Sequence, residues 1–322
     1  MTAMTATAPG KIILFGEHAV VYGRPAIAVP VNKVRARAIV MAEPRGQVGE
    51  IRIEAPDVGL ETSLEGLPKD HPIRAAVEGV ISELGITRAP ACTLRITSTI
   101  PISAGMGSGA AVSVALIRAL SSFLGHPLSN ALVSELAFEV EKIHHGIPSG
   151  IDNTVITNAM PVYYVRGQPV ETLNLPESFK IVIGDTGLPS STALAVGELR
   201  HAWQLDQNKY NAIFDSVAGI VREARAAIEN GNTSALGPLM YHNHEYLRQL
   251  GVSSPELDRL VEAVRNVGAA GAKLSGGGKG GNMIVLSSDD GTEGIESALR
   301  AAGAVRTIVT TIEELKSIQT DV

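Results

Sequence analysis

Residues 100–120 read IPISAGMGSGAAVSVALIRAL, and no other stretch restricts the fold as tightly. A run rich in β-branched residues, 93–100, feeds a turn that holds Gly105, Gly107 and Gly109, and an apolar helical run follows at 110–124. Glycine tolerates positive φ and lets backbone N–H groups approach a ligand closely, while a helix start carries about half a positive charge. Strand, glycine turn and helix start in that order make either a plain corner or a seat for nucleotide phosphates. Short glycine patterns recur by chance, so the choice rests on what the rest of the chain supplies.

Composition narrows the field. At 322 residues the chain is long enough for two domains with sizeable cores, and 45 % hydrophobic with 19 % charged residues reads as globular. A net charge of -6 and only 4 % aromatic residues argue against a basic surface or a base-stacking platform, so nucleic acid is not an expected partner. The single cysteine, Cys92, rules out a disulfide within the chain and fits a reducing, cytoplasmic setting. The opening MTAMTATAPGK lacks the basic and apolar regions of a secretory signal, and no uninterrupted apolar run of ~18 residues suggests a membrane span.

Taken in order, residues 11–15 predict a short strand, and 34–41 and 50–54 alternate as antiparallel strands with one wet face. Residues 60–70 read as a surface loop and 72–84 as a helix stopped at Gly85. Ser129 caps a helix that ends at Gly146, and 146–154 reads as a loop. Strands are expected at 161–165, 180–184, 282–287 and 305–311, and helices at 192–204, 209–230, 233–250, 255–267 and 294–302. The proline-bearing segment 169–178 is the candidate boundary, giving an N-terminal domain 1–175 and a C-terminal domain 176–322. Strands and helices mix without steady βαβ alternation, which favours an α+β fold over a doubly wound sheet.

Two glycine clusters touch the dinucleotide fingerprint. The first, at Gly105, Gly107 and Ala110, lacks the acidic residue expected ~20 residues on, and the second, at Gly276, Gly278 and Gly281, precedes a strand rather than a helix. The Walker A pattern is absent. Phosphoryl transfer also needs a divalent cation, a residue for the acceptor hydroxyl and positive charge on the transferring group. Ser108 offers a hydroxyl at the helix start, or is a helix cap. Glu141 offers a carboxylate, or pairs with His145 on an exposed face. Asp152 is presented by a tight loop, or closes an Asx turn, and Lys11 neutralises an anion, or ends a strand in solvent. His144-His145 and His242-x-His244 lack zinc-like spacing. His18 follows Gly16-Glu17 at a strand end and is either a ligand contact or a satisfied structural histidine.

These residues together resemble the GHMP kinase superfamily and, within it, the branch that acts on mevalonate. Three separated motifs carry the likeness: PGKIILFGEHAVVYGRPAIAVPV (9–31), PISAGMGSGAA (101–111) and KLSGGGKGGNMIVL (273–286). The segments EKIHHGIPSGIDN (141–153), DTGLPSST (185–192) and HNHEYLRQLGVSSPELDRL (242–260) are also similar, so the resemblance spans nearly the whole chain. It implies a two-domain GHMP kinase fold, with an N-terminal domain like the second domain of ribosomal protein S5 and a ferredoxin-like C-terminal domain. It also implies ATP-dependent phosphorylation of the C5 hydroxyl of (R)-mevalonate with magnesium, in a homodimer.

The resemblance carries roles to positions of this chain. Asp152 matches the aspartate that acts on the hydroxyl, and Lys11 the lysine beside it. Glu141 and Ser108 match the magnesium-holding residues. Pro101, Ser103, Ala104, Gly105, Met106, Gly107, Ser108, Gly109 and Ala110 form the ATP phosphate loop. Glu17, His18, His145, Gly146, Thr192, Gly277 and Gly278 fall in the substrate site. Met106 and Gly109 replace the usual leucine and second serine of the loop, Lys279 replaces a common glycine, and Ser190 stands where some members carry arginine. Another kinase of the family, acting on phosphomevalonate, and a non-catalytic metabolite sensor are the competing implications; the presence of Lys11, Ser108, Glu141 and Asp152 favours catalysis.

Overall fold

The computed structural model describes residues 3–101, 105–145, 148–190, 192–288 and 290–313, with the side chains of 144 and 145 left out. They form two compact units. Residues 1–10, 34–101 and 107–159 make the first, and 11–33, 102–106 and 160–322 the second. Two long strands, β1 (Ala3–Phe15) and β2 (Ala26–Ala42), pair with each other and run through both units.

The first unit adds β3 (Ile51–Ala55), β4 (Leu60–Ser63), α1 (Pro72–Glu83), β5 (Cys92–Ser98), α2 (Ser108–Phe123), α3 (Asn130–His145) and α4 (Ile151–Asn158). The far half of β2 pairs antiparallel with β5, from Ala36 opposite Ser98 to Ala42 opposite Cys92. Strand β3 pairs parallel with β5 and antiparallel with β4. The alternation expected in β2 and β3 holds, with Val34, Ala36, Ala38, Val40, Ile51 and Ile53 buried. The expectation that both strands are antiparallel is corrected for β3, because alternation reports a wet face and not a strand direction. Helices α2, α3 and α4 pack on one another, and α2 also packs on α1 and β5. Val114, Leu116, Ile117 and Leu120 of α2 are fully buried and form the centre of this core.

The second unit adds β6 (Val162–Tyr164), β7 (Glu171–Thr172), β8 (Phe179–Asp185), α5 (Thr192–Leu205), α6 (Gln207–Glu229), α7 (Leu236–Gln249), α8 (Pro255–Asn266), β9 (Gly271–Ser275), β10 (Asn282–Ser287), α9 (Thr292–Ala301) and β11 (Arg306–Ile312). Strand β6 pairs with the near half of β2 and with β7. The other four strands form an antiparallel sheet in the order β11-β8-β10-β9, covered by α8 and α9. Numbered along the sheet this is 4-1-3-2, the ferredoxin-like order. Caps follow ordinary chemistry: Ser254 accepts from Leu257 N–H and Asp206 from Lys209 N–H. Among the described residues no helix is long and apolar enough to cross a membrane.

Three local expectations are corrected. The loop at 60–70 begins with strand β4, whose residues are half-buried or exposed because it lies at a sheet edge with one partner. The strand at 11–15 extends back to Ala3 through a small-residue stretch too weakly apolar to announce itself. The loop at 146–154 gives way to α4 at Ile151. Its Thr, Val and Ile content is poor for a helix, and burial of Ile151, Val155 and Ile156 holds it.

Helix α7 approaches β9 without side chains between them. A Cβ on Gly271 would fall on the backbone of Gly237. Gly271→Ala must therefore push α7 off the sheet, at a cost of about 3 kcal/mol in urea unfolding. Gly219→Ala on α6, where a Cβ meets open space, is the control and is expected to be neutral or stabilising by up to ~1 kcal/mol.

Candidate active site

Within the second unit the three sequence-distant motifs meet. The N–H of Lys11 donates to the carbonyl of Met106 at 3.0 Å, joining β1 to the glycine turn. One residue pair along, Ser275 Oγ donates to the carbonyl of Ile13 at 2.9 Å and accepts from its N–H at 3.2 Å. A Cβ on Gly105 would lie 3.8 Å from the carbonyl oxygen of Ser275 and 3.9 Å from Cα of Gly276. Lys11 is 4 % exposed.

Glu17 and Lys273 form an ion pair in which neither side chain has any exposure. Lys273 Nζ also donates to the carbonyl of Leu274 at 2.7 Å. Burial raises the Glu17 carboxyl and lowers the Lys273 ammonium, and their mutual attraction opposes both shifts. His18 follows with φ +61° and 5 % exposure, its Nε2 at 3.0 Å from the carbonyl of Gly277. Burial, reinforced by the nearby Lys273 charge, pushes its pKa down to about 4.

The glycine-rich segment after β9 is wedged between two loops. A Cβ on Gly277 would lie 2.6 Å from Thr192 Oγ1, and one on Gly278 would meet the carbonyl of Val252. Ser190 Oγ donates to the carbonyl of Gly278 at 3.0 Å, and Lys279 N–H donates to that of Val252 at 2.9 Å. So Thr192, at the start of α5, rests against Gly277. Lys279 pairs with Glu198 of α5.

The remaining candidates lie in the first unit. Helix α2 starts at Ser108 behind a left-handed Gly107 with no side-chain cap, so its first N–H groups keep their donors. Ser108 and Gly109 line a cavity of about 200 Å³ with His71, Pro72, Ile73 and Ala76 of α1. Glu141, in the last turns of α3, is 6 % exposed, so the exposed-face alternative does not hold. Asp152 occupies the first turn of α4, entered through Gly150 at φ +87°. Its neighbour Asn153 donates to Ser134 Oγ at 2.8 Å and to the Ser134 carbonyl at 3.1 Å, fixing α4 on α3. Arg118 of α2 donates to the carbonyl of Thr157 and to Asn130 Oδ1. Ser103, Ala104, Gly146 and the His145 side chain lie outside the described residues.

Sequence reasoning missed Lys273, His71 and the His244 cluster. Lys273 opened a quoted motif, and a lysine in the middle of a short strand of otherwise small and apolar residues was the available signal. His71 caps α1 by accepting from Ile73 N–H, an unusual role for histidine. His244 Nδ1 accepts from Leu274 N–H at 3.3 Å, and its Nε2 lies 3.2 Å from Asp258, which also binds Ser253 and Arg248. This histidine is structural, and burial holds its pKa down to about 4 against the pull of Asp258.

Comparison with known proteins bears on the whole arrangement. Residues 71–159 match the model described as GHMP kinases N terminal domain, and 224–305 the one described as GHMP kinases C terminal. The mevalonate kinase of Thermococcus gammatolerans is 38 % identical over 320 residues, covering 92 % of this chain and 93 % of its own. The crystal structure of L. major mevalonate kinase in complex with R-mevalonate superposes with a TM-score of 0.81 at 30 % identity, covering 96 % of this chain and 95 % of its own. That of the Methanococcus jannaschii mevalonate kinase gives 0.84 at 25 %, covering 97 % and 99 %. The two-domain fold expected from the three motifs is the fold observed.

Two stability tests follow from this geometry. Glu17→Gln leaves the Lys273 charge buried and uncompensated and is expected to cost about 3–5 kcal/mol, whereas adding Lys273→Met restores much of the loss; a double-mutant cycle in urea measures the coupling. His18 and His244 both titrate near 4 when folded and 6.5 when unfolded, so the unfolded chain binds more protons in that window. Stability is then full above pH 6.5 and falls as pH drops toward 4, by on the order of 2 kcal/mol per histidine between pH 7 and 5. Urea midpoints across that range read this directly.

Proposed function

The chain belongs to the GHMP kinase family and to the mevalonate kinases within it, and from that premise we propose which of its residues carry the phosphorylation of mevalonate. The enzyme uses ATP and transfers its terminal phosphoryl group to the C5 hydroxyl of (R)-mevalonate, giving 5-phosphomevalonate. The observation that carries the assignment of residues is the meeting of Lys11, Met106, Ser275, His18 and Gly277 in one body, from stretches up to 262 residues apart.

The backbone of the glycine turn and the uncapped start of α2 receive the phosphates, using Pro101, Ser103, Ala104, Gly105, Met106, Gly107, Ser108, Gly109 and Ala110. The cavity beside Ser108 and Gly109 is the place for the remainder of the nucleotide. Asp152 orients the C5 hydroxyl and accepts its proton, and Lys11 brings positive charge to the transferring group. His18, His145, Gly146, Thr192, Gly277 and Gly278 surround mevalonate. Glu17, with no exposed surface, serves the site by holding Lys273 and so the turn that carries His18. The transition state for phosphoryl transfer is loose, so positioning and charge outweigh base strength.

Magnesium suits this donor set. Among the described residues no three histidine, cysteine or acidic side chains cluster as a protein-only cage would require. Mg²⁺ instead takes one or two protein oxygens and fills its shell with phosphate oxygens and water. Glu141 and Ser108 are the residues that would hold it. When bound it neutralises charge on the phosphates.

The single cysteine agrees with a cytoplasmic setting, and the family resemblance with a homodimer. Division into domains 1–175 and 176–322 is supported by the two family matches, which fall on either side of the boundary.

Coupled ADP-release assays on mevalonate, phosphomevalonate, homoserine and galactose test the substrate, and absence of turnover on mevalonate alone would overturn it. Asp152→Ala is expected to lower kcat by at least ~10² with nucleotide affinity largely kept. Unchanged turnover would remove Asp152 from its role.

A further inference from the structure

Lys279 interrupts a run of glycines. Residues 276–281 are glycine at every other position, and Lys279 takes φ +56° between Gly278 at +76° and Gly280 at +139°. Left-handed backbone suits glycine and strains any residue with a Cβ. The N–H of Lys279 donates to the carbonyl of Val252, a bond that glycine would make equally well, so the backbone gives no reason for a lysine. The side chain does. Its ammonium pairs with Glu198 of α5, the lysine side chain being 33 % exposed and the glutamate 50 %. An ion pair so open to water adds little stability, no more than the left-handed strain removes. A strained residue whose contact does not repay it in stability points to a use in the site.

What the pair places is α5. Ala195 and Leu199 are the buried residues among its 14, whereas α8, with 12, buries four. The far end of α5 is held by Trp203, whose ring meets that of Tyr22 with centroids 5.4 Å apart and whose Nε1 donates to Asn211 Oδ1 at 3.2 Å. The near end starts at Thr192, against Gly277. Glu198 lies six residues further on, about 9 Å along the helix axis, and Lys279 lies two residues past Gly277. Two contacts therefore join the helix to the glycine segment, Thr192 on Gly277 and Glu198 on Lys279. The first alone would let the start of α5 pivot about its Trp203 end; both together fix its direction.

We propose that Lys279 is a positioning residue for the substrate: through Glu198 it holds the first half of α5 on the glycine segment and so keeps Thr192 at Gly277. The inference rests on the reading that Thr192 and Gly277 surround mevalonate.

Two variants separate the charge from the backbone. Lys279→Met removes the ammonium and keeps the left-handed strain, whereas Lys279→Gly removes both. In each, KM for mevalonate is expected to rise about 5-fold, with kcat and the KM for ATP near wild type. Urea midpoints should place Lys279→Gly at or above Lys279→Met, so a KM rise shared by both cannot come from lost stability. The charge-swapped enzyme, Lys279→Glu with Glu198→Lys, should return KM to within about 2-fold of wild type. Amide exchange without substrate reads the holding directly. Residues 192–199 should exchange about 5-fold faster in Lys279→Met and Lys279→Gly, and 200–205, on the Trp203 side, as in wild type. Exchange at 192–199 that matches wild type in both variants, or a charge-swapped enzyme no better than Lys279→Met, would overturn the role of Lys279. Faster exchange with an unchanged mevalonate KM would overturn it by placing Thr192 and Gly277 outside the substrate site. Failure of wild type to phosphorylate mevalonate would instead count against that reading of the site, with exchange still deciding whether Lys279 holds α5.

Discussion

The ion pair between Glu17 and Lys273 ties the two ends of the chain together across 256 residues with no water at either charge. Such a pair is weak as a source of stability, because desolvating two charges offsets most of their attraction. Its effect is on register. Lys273 stands opposite Ile284 in the β9–β10 ladder, and a slip of one residue would turn its side chain to the other face of the sheet. Glu17 would then be left charged and alone in the core. The competing registers are penalised far more heavily than the native one is rewarded. Once Lys273 is placed, Ser275 falls beside Ile13 and Gly277 beside His18, and the site inherits its geometry from the strand.

Burial chiefly sets the protonation of the neighbouring histidines, and the same ammonium reinforces it. Its charge bears on both His18 and His244, adding to burial in holding each ring neutral. Neutral imidazoles have distinct nitrogens, and each ring here is fixed by a backbone group. His244 accepts the N–H of Leu274 and so presents Nε2–H to Asp258; His18 donates to Gly277 and so leaves Nδ1 bare. The backbone groups of Gly277 and Leu274 thus determine which nitrogen of each histidine donates and which accepts. Ser253 and Arg248 meet at Asp258 and hold the α7–α8 connection, whose Val252 carbonyl supports Lys279.

Much of this was legible in the sequence where one signal dominates. The helix after the glycine turn, the strand at 282–287 and the helix expected at 255–267 are each set by local apolar periodicity, and they appear where that signal places them. Helix α4 was not legible because its residues prefer extended structure and only tertiary burial makes them helical. Strand β3 revealed its wet face but not its direction, which depends on a partner 40 residues away. The positions of Glu17 and Lys273 were visible as parts of motifs. Their pairing was not, since each looks like a surface charge until the fold removes its solvent. Thr192 against Gly277 is of the same kind: two residues whose proximity is created by the close approach of two backbones, with no trace in local pattern.

The helix starts differ in how their first N–H groups are met. Helices α1, α6 and α8 each begin with a side chain, His71, Asp206 or Ser254, accepting from a first-turn N–H. Helices α2 and α4 begin instead behind left-handed glycines, Gly107 and Gly150, which have no side chain to cap with, although Ile151 N–H at the start of α4 donates to Ser149 Oγ at 3.4 Å; α7 and α9 also start without a capping side chain. A good cap at either place would stabilise the fold by about 1 kcal/mol. It would also occupy the N–H donors that face an incoming anion, and its Cβ would not accept φ near +70° or +87° without strain. The starts of α2 and α4 carry Ser108 and Asp152. A left-handed glycine at each start fits the proposed chemistry, which needs N–H donors at α2 and a carboxylate held in the first turn of α4.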